Sequence, residues 1–151
     1  MIPPYTEIKL ELEQDMGPVY IDVSQISRVL DNIIGNAIEA MPEGGVLTVS
    51  TSRTEEGVNL KVADFGIGMT PEVKANLFKP FYTTKRGGVG LGLTYCKRAV
   101  EAHGGTITVD SQVGEGTEFT IKIPDSPMEI MPQDLTAQVD VQVQDASTES
   151  R

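Results

Sequence analysis

Asn32 and Asn36 stand four residues apart in the segment Asp31-Asn32-Ile33-Ile34-Gly35-Asn36-Ala37-Ile38-Glu39-Ala40. In a helix that spacing puts both side-chain amides on one face, a single turn from each other. An amide oxygen is a hard ligand suited to Mg²⁺, a cation that keeps several waters and is shared with nucleotide phosphates. Asparagine and glycine are also poor helix formers. Asn32, Gly35 and Asn36 together cost the helix about 2 kcal/mol against alanine, a local penalty that points to a site, although a solvated polar face has the same pattern. A second feature is Asp64-Phe65-Gly66-Ile67-Gly68-Met69, which leaves the alternating run Val58 to Ala63. A carboxylate only accepts hydrogen bonds, so Asp64 matches the exocyclic amino group of adenine, and Gly66 and Gly68 leave room for a flat ring. An ordinary turn has the same composition. The chain has neither the third glycine of a dinucleotide fingerprint nor a Gly-x-x-x-x-Gly-Lys phosphate loop. The third feature is electrostatic. Lys74 to Arg98 holds six of the twelve basic residues and no acidic one, in a chain with a net charge of -10. Within it, Thr83-Thr84-Lys85-Arg86-Gly87-Gly88-Val89-Gly90-Leu91-Gly92 places glycines at the start of a helix, where free N–H groups and the helix dipole favour a polyphosphate. A segment so rich in glycine also suits a lid, or equally a flexible connector.

The elements that must position these groups follow from periodicity. Ile8, Leu10 and Leu12, then Val19-Tyr20-Ile21, read as two opening strands divided by the Gly17-Pro18 turn. Asp22, with Gln25 three residues later, resembles a capping box. It opens a helix whose apolar stripe is Val23, Ile26, Val29, Leu30, Ile33, Ala37, Ile38 and Met41, ended by Pro42-Glu43-Gly44-Gly45. Residues 46 to 53 and 57 to 63 alternate around Glu55-Glu56-Gly57 as a hairpin. Thr70-Pro71 caps a short helix to about Leu77, and a second long helix runs from near Leu91 to Gly104-Gly105. Strands at about 106 to 111 and 117 to 123 close the domain around a glycine-rich turn. Strands joined by tight turns pair antiparallel, and the helices need one sheet face to cover, so the expected fold is a two-layer α+β sandwich.

Composition sets the outer bounds. With 151 residues and 39% hydrophobic side chains there is material for one core. Residues 1–124 form the expected domain and 125–151 an acidic tail. The tail has six acidic residues against one basic and no aromatics, which is too little to bury a core, although Gln138 to Val143 alternates as an edge strand would. Cys96 and His103 are the only cysteine and histidine, which excludes a disulfide framework and a multi-cysteine zinc site. The net negative charge argues against nucleic acid or an anionic membrane surface as partner. No apolar run exceeds three residues, so a soluble, cytoplasmic chain without direct membrane contact is expected.

Taken in order, these segments resemble the ATP-binding catalytic domain of sensor histidine kinases, in the superfamily shared with gyrase-type ATPases and ATP-dependent chaperones. Residues 31–40 look like its asparagine box and residues 64–69 like its first glycine box. Leu77-Phe78-Lys79-Pro80-Phe81-Tyr82-Thr83-Thr84-Lys85 is similar to the phenylalanine box. Gly88 to Leu93 matches the second glycine box, and Gly114 to Phe119 the last strand turn. The resemblance implies a mixed, mostly antiparallel sheet of about five strands covered by three helices (a Bergerat-type sandwich), with ATP and Mg²⁺ as ligands. It implies Asn36 on the metal, Asp64 on the adenine amino group, Gly66 and Gly68 along the base, and Thr117 supporting it. Lys85, Gly88, Gly90, Leu91 and Gly92 would surround the phosphates, with Asn32 and Lys85 acting at the transferred group. Superfamily members that hydrolyse ATP carry a glutamate where Asn32 stands; an amide cannot take a proton from water, whereas a histidine acceptor needs no such base. No histidine lies in the family's phosphoacceptor pattern, so the acceptor is expected on a separate dimerisation domain, with a response regulator further on and this fragment monomeric. A parent protein anchored in a membrane is compatible with this reading. The alternatives are an anti-sigma-type serine kinase and a non-catalytic nucleotide-sensing module.

Overall fold

A computed structural model describes residues 5–83 and 92–125. Its elements, in chain order, are β1 (Thr6–Leu12), α1 (Val23–Glu39), β2 (Gly45–Arg53), β3 (Gly57–Asp64), α2 (Pro71–Asn76), α3 (Gly92–Ala102), β4 (Thr106–Gln112) and β5 (Gly116–Pro124). The strands form one sheet in the order β1-β2-β3-β5-β4, antiparallel except where β1 runs parallel to β2. The expected two-layer sandwich of five strands and three helices is what forms.

Strand alternation sorts the two faces. Leu47, Val62, Phe119, Ile121 and Ile107 point to the helices and are buried, while their chain neighbours Thr48, Lys61, Thr120 and Thr108 lie on the other face. From α1 the core receives Ile26, Val29, Ile33 and Ala37, and from α3 Cys96, Ala99 and Val100. Each large apolar side chain buried in this way contributes roughly 1.5–3 kcal/mol. The caps are those expected. Asp22 Oδ1 accepts from the Gln25 N–H at 3.1 Å, and Thr70 Oγ1 from the Val73 N–H at 3.2 Å ahead of Pro71.

The amino-terminal region departs from expectation. Only one opening strand forms; residues 19–21 are not a strand. Val19 and Ile21 still pack on the core, but nearby backbone groups find side-chain partners instead of a ladder. Arg53 donates from Nε to the Met16 carbonyl at 3.0 Å and from Nη2 to the Pro18 carbonyl at 3.1 Å, and the Asp22 N–H donates to His103. Because α1 separates β1 from β2, that pair is parallel and not a hairpin. Ile8, Leu10 and Leu12 lie in register with Leu47, Val49 and Thr51 yet stay half exposed, since the helices pack over β3, β5 and β4 and stop short of the β1 edge. Val23, in the first turn of α1, also lies exposed outside the apolar stripe. Among the described residues no helix is long and apolar enough to cross a membrane. Of the expected tail, residues 126–151, Gln138 to Val143 among them, lie outside the described residues.

Candidate functional site

On the helix-facing side of the sheet, three strands turn polar in the same layer. The inward column of β3 runs Val58, Leu60, Val62 and then Asp64; that of β5 runs Ile121, Phe119 and then Thr117; that of β4 runs Ile107, Val109 and then Ser111. Asp64 lies opposite Thr117, and Thr117 opposite Ser111. All three are buried, Asp64 at 6% exposure. Polar side chains at inward positions need partners, and here they have them. The Gly66 N–H donates to Asp64 Oδ1 at 2.8 Å, and the Thr117 backbone N–H also bonds the carboxylate. Burial pushes the Asp64 carboxyl above its ordinary range, and these two N–H groups oppose the rise without cancelling it.

Ser111 was not singled out by sequence reasoning, yet it organises this end. Its Oγ accepts from the Met69 N–H at 2.8 Å and donates its single proton to the Gly116 carbonyl at 2.7 Å. The 2.8 Å contact between Ser111 and Thr117 must then be donated by the Thr117 hydroxyl. Thr117 Oγ1 is left with acceptor capacity only, beside a carboxylate that also only accepts. The signal was in the sequence: Ile107-x-Val109-x-Ser111 continues an inward alternation into a polar residue. Lys74 Nζ donates to the Ser111 carbonyl at 2.8 Å and ties α2 to the same corner.

The two glycines of the loop are explained first by the protein's own backbone. A Cβ on Gly66 would lie 2.4 Å from the Ala40 carbonyl oxygen, and one on Gly68, at φ +75°, would lie 2.0 Å from that of Gln112. The loop is thereby pressed between the end of α1 and the β4–β5 turn, where the Ile67 N–H donates to the Ala40 carbonyl at 3.2 Å and the Gly114 N–H to that of Ile67 at 2.8 Å.

Across from this corner, α1 presents Asn32 and Asn36, both half-buried. Asn32 faces α3. Its Oδ1 lies 3.3 Å from where a Gly92 Cβ would stand, and its amide bonds the Cys96 thiol. Burial pushes that thiol up to about 11, with the Asn32 hydrogen bond and the nearby Arg28 charge pulling the other way. Arg28 in turn sits 4.0 Å over the Tyr95 ring. Among the described residues no group of three or more His, Cys, Asp or Glu converges on a metal position. The donor set expected for Mg²⁺, the Asn36 amide with ligand oxygens and water, is all oxygen, the kind that hard cation takes. The structure thus brings Asp64, Gly66 and Thr117 together at one corner and Asn32 and Gly92 together at the helix seam. Lys85, Gly88, Gly90 and Leu91 lie outside the described residues. Before them, Phe78 packs edge-on against Phe119 at 6.4 Å between centroids, whereas Phe81 projects into solvent at φ +68°. His103 is engaged through both ring nitrogens, with Asp22 and with Ala99.

A mixed sheet under three helices, with a buried aspartate closing its central strand opposite an asparagine-bearing helix, defines an ATP-binding domain of the kind that histidine kinases share with gyrase B and HSP90. Residues 21–127 match the family described as "Histidine kinase-, DNA gyrase B-, and HSP90-like ATPase", and the chain belongs to it, as an ATP-binding catalytic domain of the sensor histidine kinase type. It is 41% identical over 119 residues to sporulation kinase E and 44% identical over 103 residues to sporulation kinase C, both of Bacillus subtilis (strain 168). These alignments cover 78% and 68% of this chain but 16% and 24% of those proteins, so the chain spans about a quarter or less of their length. Among solved structures, the catalytic domain of the histidine kinase ThkA superposes with a TM-score of 0.73 at 32% identity, over 81% of this chain and 82% of that one. Full-length ShkA in complex with AMPPNP superposes with a TM-score of 0.72 at 31% identity, over 80% of this chain and 26% of that one.

Proposed function

We propose that this domain binds Mg-ATP and donates the γ-phosphoryl group to a histidine on a separate dimerisation and phosphoacceptor domain, for relay to a response-regulator aspartate. The observation that carries this reading is the pairing of an acceptor-only corner, Asp64 with Thr117, with a facing helix that offers amides and no carboxylate at position 32. The corner accepts the adenine amino group and rejects a base that shows a carbonyl there, because two acceptors would meet. Gly66 and Gly68 hold the loop against which the base lies. Asn36 orients the magnesium, which when bound neutralises phosphate charge; Lys85, Gly88, Gly90, Leu91 and Gly92 surround the phosphates. Asn32 positions and cannot take a proton, so water is not activated, and an incoming neutral imidazole supplies its own lone pair. His103, the only histidine in the chain, has both nitrogens committed to backbone groups, which supports an acceptor supplied by another domain. The test mixes the chain with a phosphoacceptor helical hairpin and γ-labelled ATP. Acid-labile, alkali-stable label on the hairpin is the expected result; acid-stable label would indicate a serine kinase, and saturable ATP binding with no transfer a sensing module.

A further inference from the structure

The two helices that flank the proposed nucleotide cleft meet along an antiparallel seam. At one end Asn32 lies against Gly92; in the middle the Cys96 thiol lies 3.7 Å from the Val29 carbonyl; at the far end His103 meets Asp22. At that far end the His103 ring makes two polar bonds of ordinary length, one across the seam and one back to α3. The Asp22 N–H donates to His103 Nε2 at 2.9 Å, and His103 Nδ1 lies 2.7 Å from the Ala99 carbonyl. The first partner can only donate and the second can only accept, so the ring is neutral, with its proton on Nδ1. Asp22 is also the cap of α1. Its carboxylate accepts from Gln25 and its carbonyl from Ile26 at 3.0 Å, so the point where the helix begins is held from three sides.

We propose that His103 is a positioning residue for nucleotide binding: as the Nδ1–H tautomer it clamps the end of α3 to the start of α1 and so fixes the register in which Asn32, one turn before Asn36, faces Gly92. The clamp lies about 16 Å from Gly92 by helix rise and acts through two stiff elements, touching no ligand itself. The inference rests on the nucleotide reading above, and its test separates the two. Because the chain has one histidine, nitrogen NMR of the intact chain reports this ring alone. Before any ligand is added, the spectrum is expected to show the Nδ1–H tautomer at neutral pH; the Nε2–H tautomer or an imidazolium would overturn the proposal whatever the chain binds. On titration with Mg-ATP the Nε2 resonance is expected to shift, and binding without that shift would also overturn it. His103→Phe, which keeps a flat ring and loses both bonds, is expected to weaken Mg-ATP binding roughly three- to ten-fold, the size of one neutral hydrogen bond. His103→Gln, whose amide oxygen can accept from the Asp22 N–H, should recover most of that loss. A folded His103→Phe variant with undiminished affinity would rule out the clamp. If the wild-type chain binds no ATP, the nucleotide reading fails while the tautomer measurement still stands.

Discussion

The two parts of the candidate site are built in different ways. At the Asp64 corner, three strands and two backbone N–H groups hold a carboxylate in place, and the neighbouring hydroxyls have their protons assigned before any ligand arrives. At the α1–α3 seam, the Asn32 amide projects from one helix and meets Gly92 and the Cys96 thiol of another, so its surroundings depend on how the two helices lie together. A preformed polar corner gives selectivity by leaving a wrong partner unpaired; a seam of side-chain contacts gives adjustable geometry. Under the proposed function, selectivity for the base falls to the sheet and alignment of the phosphates to the helices.

The largest effect should come from exchanging the carboxylate at the corner. Asp64→Asn replaces an acceptor with a group that can present a donor, and is expected to weaken ATP binding about a hundred-fold in calorimetry while leaving the fold intact. The same variant carries a pH signature. A carboxyl held above its ordinary range contributes most to the stability of the free domain while protonated, and that contribution is lost as pH rises through the raised value. The wild type should lose stability relative to Asp64→Asn as pH climbs out of the acidic range; parallel denaturation curves at all pH values would show that burial of Asp64 carries no such cost.

Gly66→Ala comes next, because the new methyl meets the Ala40 carbonyl. A loss of about 1–3 kcal/mol in chemical denaturation is expected, and an unchanged midpoint would mean that the loop is not pinned to α1. Asn36→Ala should reduce the magnesium-dependent part of ATP affinity about ten-fold while the domain stays folded; equal loss with and without magnesium would move Asn36 from the metal to the base or the packing. The smallest effect sharpens the seam. With its thiol pushed up to about 11 and no exposure, Cys96 should resist alkylation at neutral pH until the domain unfolds. Prompt labelling of the native chain would show that α1 and α3 separate readily.

Much of this was legible in the sequence because the signals were local. Alternation placed β2 to β5 within a residue or two, Asp22 and Thr70 capped the helices they precede, and Asp64 stood out as a carboxylate at the exit of a strand. What was misread depended on distant partners. Val19 and Ile21 have the look of a strand, but the backbone around them is satisfied by Arg53, 35 residues from Pro18, and by His103, 81 residues from Asp22. The glycines at 66 and 68 looked like room for a ring; their first constraint is contact with Ala40 and Gln112, which no local pattern reveals. Ser111 was legible in principle, since an inward-facing serine after Ile107 and Val109 requires a buried partner, and that partner, Thr117, was already identified.

The central claim is that a magnesium-bound adenine nucleotide occupies the cleft with its base on Asp64 and Thr117. Calorimetric titration of the intact chain with ATP and with GTP, each in the presence of Mg²⁺, tests it most directly. Saturable binding of ATP with GTP weaker by at least about ten-fold is the predicted result, the difference expected when a buried acceptor loses its donor; equal affinity for the two nucleotides would contradict it.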